Sequence, residues 1–112
     1  MGFLKQTSTF LQRLFDLAER NIPEENFNVQ DLCKLIGISR AQLYRKILSL
    51  TGKSPNHFIR DLRMNKAWQL LKSKRNNITE IAYEVGYSNP SYFSKMFFQN
   101  FGYSPSSVLA SV

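Results

Sequence analysis

The chain states one pattern twice. An offset of 49 residues matches Asn28 with Asn77, Val29 with Ile78, Asp31 with Glu80, Leu32 with Ile81, Gly37 with Gly86 and Ser39 with Ser88. One extra residue in the second copy makes the offset 50. It then pairs Leu43 with Phe93, Arg45 with Lys95, Ile47 with Phe97, and Gly52-Lys53-Ser54-Pro55 with Gly102-Tyr103-Ser104-Pro105. Caps, turns and apolar positions that return together at one spacing specify a single supersecondary unit built two times.

Each copy reads as helix, tight turn, helix. In the first, Asn28 caps a helix, Asp31 stands three residues on, and Phe27 is placed to pack on Leu32. Val29, Leu32, Cys33 and Ile36 form that helix's buried face, and Gly37 can take the left-handed conformation that ends it. Ser39 with Gln42 repeats the capping pattern, and a second helix follows from about Arg40 to Thr51, with Leu43, Ile47 and Leu50 inward and Gly52 at its close. The second copy uses Asn77 with Glu80, an apolar face of Ile78, Ile81, Ala82 and Val85, and the turn Gly86-Tyr87-Ser88. Its second helix starts near Asn89-Pro90, buries Phe93, Phe97 and Phe101, and stops at Gly102, before Ser104-Pro105 opens a short last helix.

Two further helices complete the plan. Phe10, Leu14, Leu17 and Ala18 mark one ahead of the first copy, ended at Asn21-Ile22-Pro23 because proline disfavours helical geometry in its predecessor. Ser54-Pro55 opens a linker helix through Ile59, Leu62, Ala67 and Leu70-Leu71, which the polar run 72–77 ends. No stretch alternates long enough to argue for a strand. The fold class is all-α, about seven helices in one domain over 1–112: helix-turn-helix units at 10–53 and 77–110, joined by a linker at 54–73.

Charge narrows the function. The net formal charge is +7, yet residues 34–75 hold eleven Lys/Arg against one acid, Asp61, while residues 76–112 sum to about −1. A positive block that dense repels itself on folding, so it points to a polyanionic partner. The lone Cys33 cannot form an internal bridge, and one Cys with one His, His57, cannot supply a structural zinc shell or a catalytic site. Neither an enzyme nor a metal or cofactor is expected. No apolar run approaches the roughly 20 residues that span a bilayer, and Met1 to Phe10 lacks the features of a secretory signal, so the reading is cytoplasmic. The 14 Phe and Tyr residues fall mostly on inward faces rather than forming a stacking platform for single-stranded RNA. The rival reading is a helical protein-interaction module, with Phe98, Leu48 and Trp68 as an apolar contact patch.

Helix geometry says where the repeated cation points. At about 100° per residue, Leu43, Ile47 and Leu50 on one side place Arg45 opposite, flanked by Ala41, Leu48 and Ser49. Phe93 and Phe97 likewise place Lys95 opposite, flanked by Ser91, Phe98 and Gln99. Small residues on such a face let a helix sit deep in a major groove, where Arg can donate two hydrogen bonds to guanine. Helix starts offer N–H groups and a positive dipole end to phosphate, a role open to Ser39, Ser88 and Ser54. A linker helix of about 17 residues is roughly 25 Å long, somewhat short of the roughly 34 Å between successive major-groove faces. Those lengths predict an asymmetric double-stranded site of about two helical turns, with tandem half-sites and some bending.

From Phe10 to about Leu109 the chain resembles the DNA-binding domain of AraC/XylS-family transcription regulators. Gly-Ile-Ser-Arg-Ala-Gln-Leu-Tyr-Arg-Lys at 37–46 resembles the family's first recognition helix, and Ser-Pro-Asn-His-Phe-Ile-Arg-Asp-Leu-Arg-Met-Asn-Lys-Ala at 54–67 its linker. The segment 78–97, with Phe-Gly-Tyr-Ser-Pro at 101–105, resembles the family signature. The resemblance implies base readout by Arg40, Ala41, Tyr44 and Arg45 in the first unit and by Asn89, Ser91, Tyr92 and Lys95 in the second. It implies phosphate contacts from Ser39, Lys46, Lys53, Ser54 and Ser88, and for Arg63 either a structural or a backbone-contacting role. Leu48 and Phe98 stand at positions often basic in similar sequences, and Val108-Leu109 replaces an aromatic-Arg ending. Such modules sit at the carboxyl end of longer regulators, so the implied partners are double-stranded DNA, RNA polymerase, and sensor or receiver regions of the same polypeptide, as in hybrid two-component regulators. No membrane contact is implied for this segment.

Overall fold

The computed structural model describes residues 2–74 and 76–111. Arg75, part of the polar run expected to end the linker, lies outside the described residues, as do Met1 and Val112. Among the described residues there are seven helices and no strand: α1 (Gly2–Asn21), α2 (Val29–Ile36), α3 (Arg40–Thr51), α4 (Pro55–Ser73), α5 (Ile78–Glu84), α6 (Pro90–Phe101) and α7 (Pro105–Ala110). No described helix is long and apolar enough to cross a membrane.

Local chemistry sets most of these boundaries. At α2, the Asn28 side chain accepts from the Asp31 amide at 3.0 Å while the Asp31 carboxylate accepts from the Asn28 amide at 3.2 Å. Ser39 and Gln42 make the same reciprocal pair at α3, at 3.2 and 3.0 Å. Each box satisfies two amides that the first turn would otherwise leave unpaired, and losing such a cap costs about 1 kcal/mol. At α5 the box is half made. Asn77 caps the Glu80 amide at 2.8 Å, but the Glu80 carboxylate accepts from the Asn77 side chain at 3.0 Å instead of from its backbone. Pro55, Pro90 and Pro105 each take the first helical position, where a missing N–H costs nothing. Gly37, at φ 80°, and Gly52, at φ 73°, end α2 and α3 in the left-handed region.

The chain gathers into two units. The first takes in the chain up to Asn21 together with Phe27–Ile59; the second takes in Ile22–Asn26 and everything from Arg60 onward. Helix α4 therefore contributes its first turn to one unit and the rest of its length to the other. Residues 22–26 differ from the sequence-based division, which placed them in the first unit. The reason is that Ile22 buries its side chain in the core of the second unit and its carbonyl accepts from Arg63.

The first unit closes over Leu14, Leu32, Leu43 and Ile47, all without solvent exposure, with Ala18, Phe27, Val29, Cys33, Ile36 and Ile59 also buried. Phe15 meets Phe58 edge-on at 5.2 Å between ring centroids. The second unit closes over Met64, Ala67, Leu71, Ile81, Ala82, Val85, Phe93 and Phe97, with Ile22 and Val108 at its margin. Phe93 and Phe97 are fully buried, and burying one such side chain contributes about 1.5 to 3 kcal/mol. Phe101 is only half-buried and lies 4.6 Å from Phe97, so it covers the core without entering it. Trp68, expected on an apolar contact patch, instead packs against this core and donates its indole N–H to Tyr103 at 3.2 Å. Val108, in the ending that departs from the family pattern, is buried and α7 forms around it.

One helix end departs from rule. Helix α4 stops at Lys74 with φ 57°, the left-handed conformation that glycine takes at the ends of α2, α3 and α6, and the Lys74 amide is shared between the carbonyls of Leu70 and Leu71 at 3.2 and 3.1 Å. A side chain there costs roughly 1 kcal/mol. Lys74→Gly is accordingly expected to raise stability by about 0.5 to 1 kcal/mol, read as an upward shift of the urea midpoint; an unchanged or lower midpoint contradicts the account.

Candidate nucleic-acid interface

Helix α3 turns Leu43 and Ile47 inward, so its opposite face is presented to solvent: Arg40, Ala41, Tyr44, Arg45 and Ser49 are all exposed. Helix α6 does the same through Phe93 and Phe97, exposing Asn89, Ser91, Tyr92, Lys95 and Gln99. Arg45 and Lys95 therefore point outward, each within its own unit, as the periodicity requires. Tyr44 and Tyr92 are about half exposed, at 49% and 52%. Leu48 and Phe98 are exposed apolar groups on these two helices, at 43% and 55%.

The residues expected to touch phosphate are held in different ways. Ser39, the N-cap of α3, spends its lone pair on the Gln42 amide and keeps a hydroxyl proton to donate outward. Lys46 lies exposed with its ammonium 4.9 Å from the centre of the Phe10 ring, a cation–π contact that steadies the charge. Lys53 follows the left-handed Gly52, and its amide donates to Thr51 Oγ1 at 3.1 Å while that hydroxyl donates to the Ile47 carbonyl at 2.7 Å, which fixes the turn. Ser54 is half-buried and caps α4 through the His57 amide at 3.3 Å.

Ser88 is placed otherwise than the repeat suggests. The extra residue of the second copy falls inside the turn, so that Asn89, not Ser88, caps α6 by accepting from the Tyr92 amide at 3.0 Å. The Ser88 hydroxyl donates instead to the carboxylate of Glu25 at 2.8 Å. Sequence reasoning had no means of finding this contact, because the two residues stand 63 positions apart. The displaced cap, by contrast, was legible in the one-residue change of offset.

Behind the α5–α6 turn lies a buried cation. Arg63, on α4, is 6% exposed, and its guanidinium donates to the carbonyl of Ile22, to that of Val85 at 2.7 Å and to that of Glu24 at 3.1 Å. This settles its role as structural. Burial pushes the Arg63 pKa down, and nearby Tyr87 and Glu25 act the other way. Burial likewise raises the Tyr87 phenol, against the pull of Arg63. Gly86, at φ 89°, is the residue that makes room: a Cβ there would collide with the Arg63 guanidinium and the Ile22 carbonyl.

His57 and Cys33 stand on different helices, and no three His, Cys, Asp or Glu residues gather among the described residues.

Two outward-facing second helices of repeated helix-turn-helix units, each bearing a cation among small and polar side chains, define the class of AraC-type DNA-binding domains of transcription regulators. A family model described as a helix-turn-helix domain matches residues 32–111, and the chain belongs to that family. It is 40% identical over 96 residues to a protein called histidine kinase P4 of Formosa agariphila, covering 86% of this chain and 7% of that one. It is 37% identical to the helix-turn-helix transcriptional regulator YidL of Escherichia coli, covering 77% of this chain and 29% of that one. The chain thus spans a minor part of the relatives it matches. Among solved structures, an AraC-type transcriptional regulator from Chromobacterium violaceum superposes with a TM-score of 0.84 at 29% identity, covering 95% of this chain and 94% of that one. The DNA-binding domain of AdpA, solved in complex with a target DNA, superposes with a TM-score of 0.78 at 27% identity, covering 89% of each.

The packing around Arg63 is open to a direct test. Arg63→Met leaves three carbonyls without their donor, and each unsatisfied buried group costs about 1 to 3 kcal/mol, so a loss of at least 2 kcal/mol is expected in denaturant unfolding. Arg63→Lys should recover only part of it, because the three donors of an ammonium radiate from one nitrogen and cannot span the carbonyls that two guanidinium nitrogens reach. Gly86→Ala should be comparably damaging; wild-type stability in either Arg63→Met or Gly86→Ala would refute the packing account.

Proposed function

We propose that this chain reads a double-stranded site through α3 and α6, each lying in a major groove, and regulates transcription as the output domain of a longer polypeptide. The observation that carries this reading is the exposure of Arg45 and Lys95 at matched positions opposite the cores of their own units. Arg40, Ala41, Tyr44 and Arg45 contact bases from α3, and Asn89, Ser91, Tyr92 and Lys95 from α6. Ser39, Lys46, Lys53 and Ser54 bind phosphate around the first helix; Ser88 stands at the matching place of the second, with its hydroxyl taken by Glu25. The positive block at 34–75 supplies the sequence-independent part of the affinity. Support comes from a related domain solved on its target DNA.

Two readers on one chain, α3 in the first unit and α6 in the second, suit an asymmetric site of about two helical turns with tandem half-sites. The parent protein carries sensor or receiver regions ahead of this segment, a reading supported by the likeness to a protein called a histidine kinase. It acts in the cytoplasm with RNA polymerase as its further partner and no catalytic chemistry of its own. A protein-interaction module is the weaker reading, since Trp68 packs against the core of its own unit, leaving Leu48 and Phe98 of the three apolar groups exposed, one on each unit.

Selection of duplexes from a random pool should return a preferred site, and protection of only four or five base pairs would overturn the two-reader reading. On that site Arg45→Ala is expected to relax preference at one base pair and cost roughly 1 to 3 kcal/mol. Lys46→Ala should weaken all sequences alike and lower the salt slope by about 0.9. Unchanged base preference in Arg45→Ala would remove that residue from the readout.

A further inference from the structure

We infer that Glu25 attenuates the grip of the second unit on DNA, by holding the Ser88 hydroxyl and by setting a carboxylate beside the start of α6. The inference rests on the DNA-binding reading above and adds a residue to it that stands outside both recognition helices.

The two units differ at the same place. In the first, the residue before the α3 cap is Ile38, and the cap itself, Ser39, has its hydroxyl proton free of any carboxylate at this start. In the second, the residue before the α6 cap is Ser88, and its proton is given to Glu25 at 2.8 Å. A hydroxyl already donating to a carboxylate cannot donate to a phosphate, since it has one proton. The carboxylate is exposed, so it also opposes any phosphate brought to the amino end of α6, where helix geometry would otherwise favour an anion. Residues 76–112 carry one Lys against two Glu, so apart from Lys95 the cations of the second unit lie in its 60–75 segment.

Glu25 is fixed in place by the packing of its own segment. Glu24 gives its carbonyl to Arg63 at 3.1 Å and Ile22 is buried in the core of the second unit, so the 22–26 segment cannot swing away without breaking buried contacts. The carboxylate is thus a constant feature of this surface. It makes firm seating of the second unit depend on the base contacts of Asn89, Ser91, Tyr92 and Lys95.

The test uses the full chain and the duplex that wild type selects from a random pool. Glu25→Ala is expected to bind that duplex roughly tenfold more tightly, the size of one charge-assisted hydrogen bond, and to steepen the salt slope because a charge repelled by DNA is removed. Glu25→Gln, which keeps an acceptor for Ser88 but removes the charge, should fall between wild type and Glu25→Ala. Ser88→Ala alone should change affinity less than about twofold, and combined with Glu25→Ala it should cancel much of the gain, the signature of coupling in a double-mutant cycle. A lower melting temperature in a Glu25 variant cannot imitate tighter binding. If wild type binds its duplex but both Glu25 variants bind no tighter with unchanged slope, or if Ser88→Ala alone loses tenfold, the inference is overturned while the DNA-binding reading stands. If no duplex is preferred, that reading fails and the inference falls with it.

Discussion

A single buried guanidinium organises the second unit. Arg63 leaves water to donate to three main-chain carbonyls, those of Ile22, Glu24 and Val85, which come from two separate stretches of chain. A buried cation is costly unless its donors are satisfied; carbonyl groups satisfy this one, and the nearby Glu25 carboxylate favours its charged form. The consequence reaches outward. Holding Val85 and Ile22 against α4 sets the turn before α6, and Gly86 is needed there because no Cβ fits beside the guanidinium. The helix that presents Lys95 is positioned by this arrangement.

Repetition and difference work together in the molecule. Both units use a side-chain cap, a short turn and a second helix whose buried Leu/Ile or Phe residues force a cation to the far side. The difference is one residue in the turn. That residue moves the second cap from serine to asparagine and leaves Ser88 to find another partner, which it does in Glu25. Two second helices built on one plan therefore differ in their sequence surroundings, α3 inside a strongly positive stretch and α6 inside a mildly acidic one.

The fold was largely written in short-range signals. Asn28 with Asp31, Ser39 with Gln42, Asn77 with Glu80 and the prolines at 55, 90 and 105 mark helix starts through contacts within three residues, so they can be read without knowing the fold. The candidate interface was legible for the same reason, since a face is set by the periodicity of its own helix. The Lys74 ending of α4 was not, because a non-glycine residue in the left-handed region leaves no compositional mark. The rival reading put Trp68 on a surface patch, and its packing against the core of the second unit, with Tyr103 35 residues away as hydrogen-bond partner, leaves no local mark in the sequence.

The amino-acid sequence by itself determined the all-α class, the capped starts of α2 to α7, the duplicated unit and the outward aim of Arg45 and Lys95, all of which follow from interactions within one or two helical turns. Only the tertiary structure decided that residues 22–26 belong with the second unit, that Arg63 is a structural donor and that Glu25 stands over Ser88. Those outcomes depend on contacts between residues 22 to 63 positions apart, and no local propensity records which distant carbonyl or carboxylate will arrive.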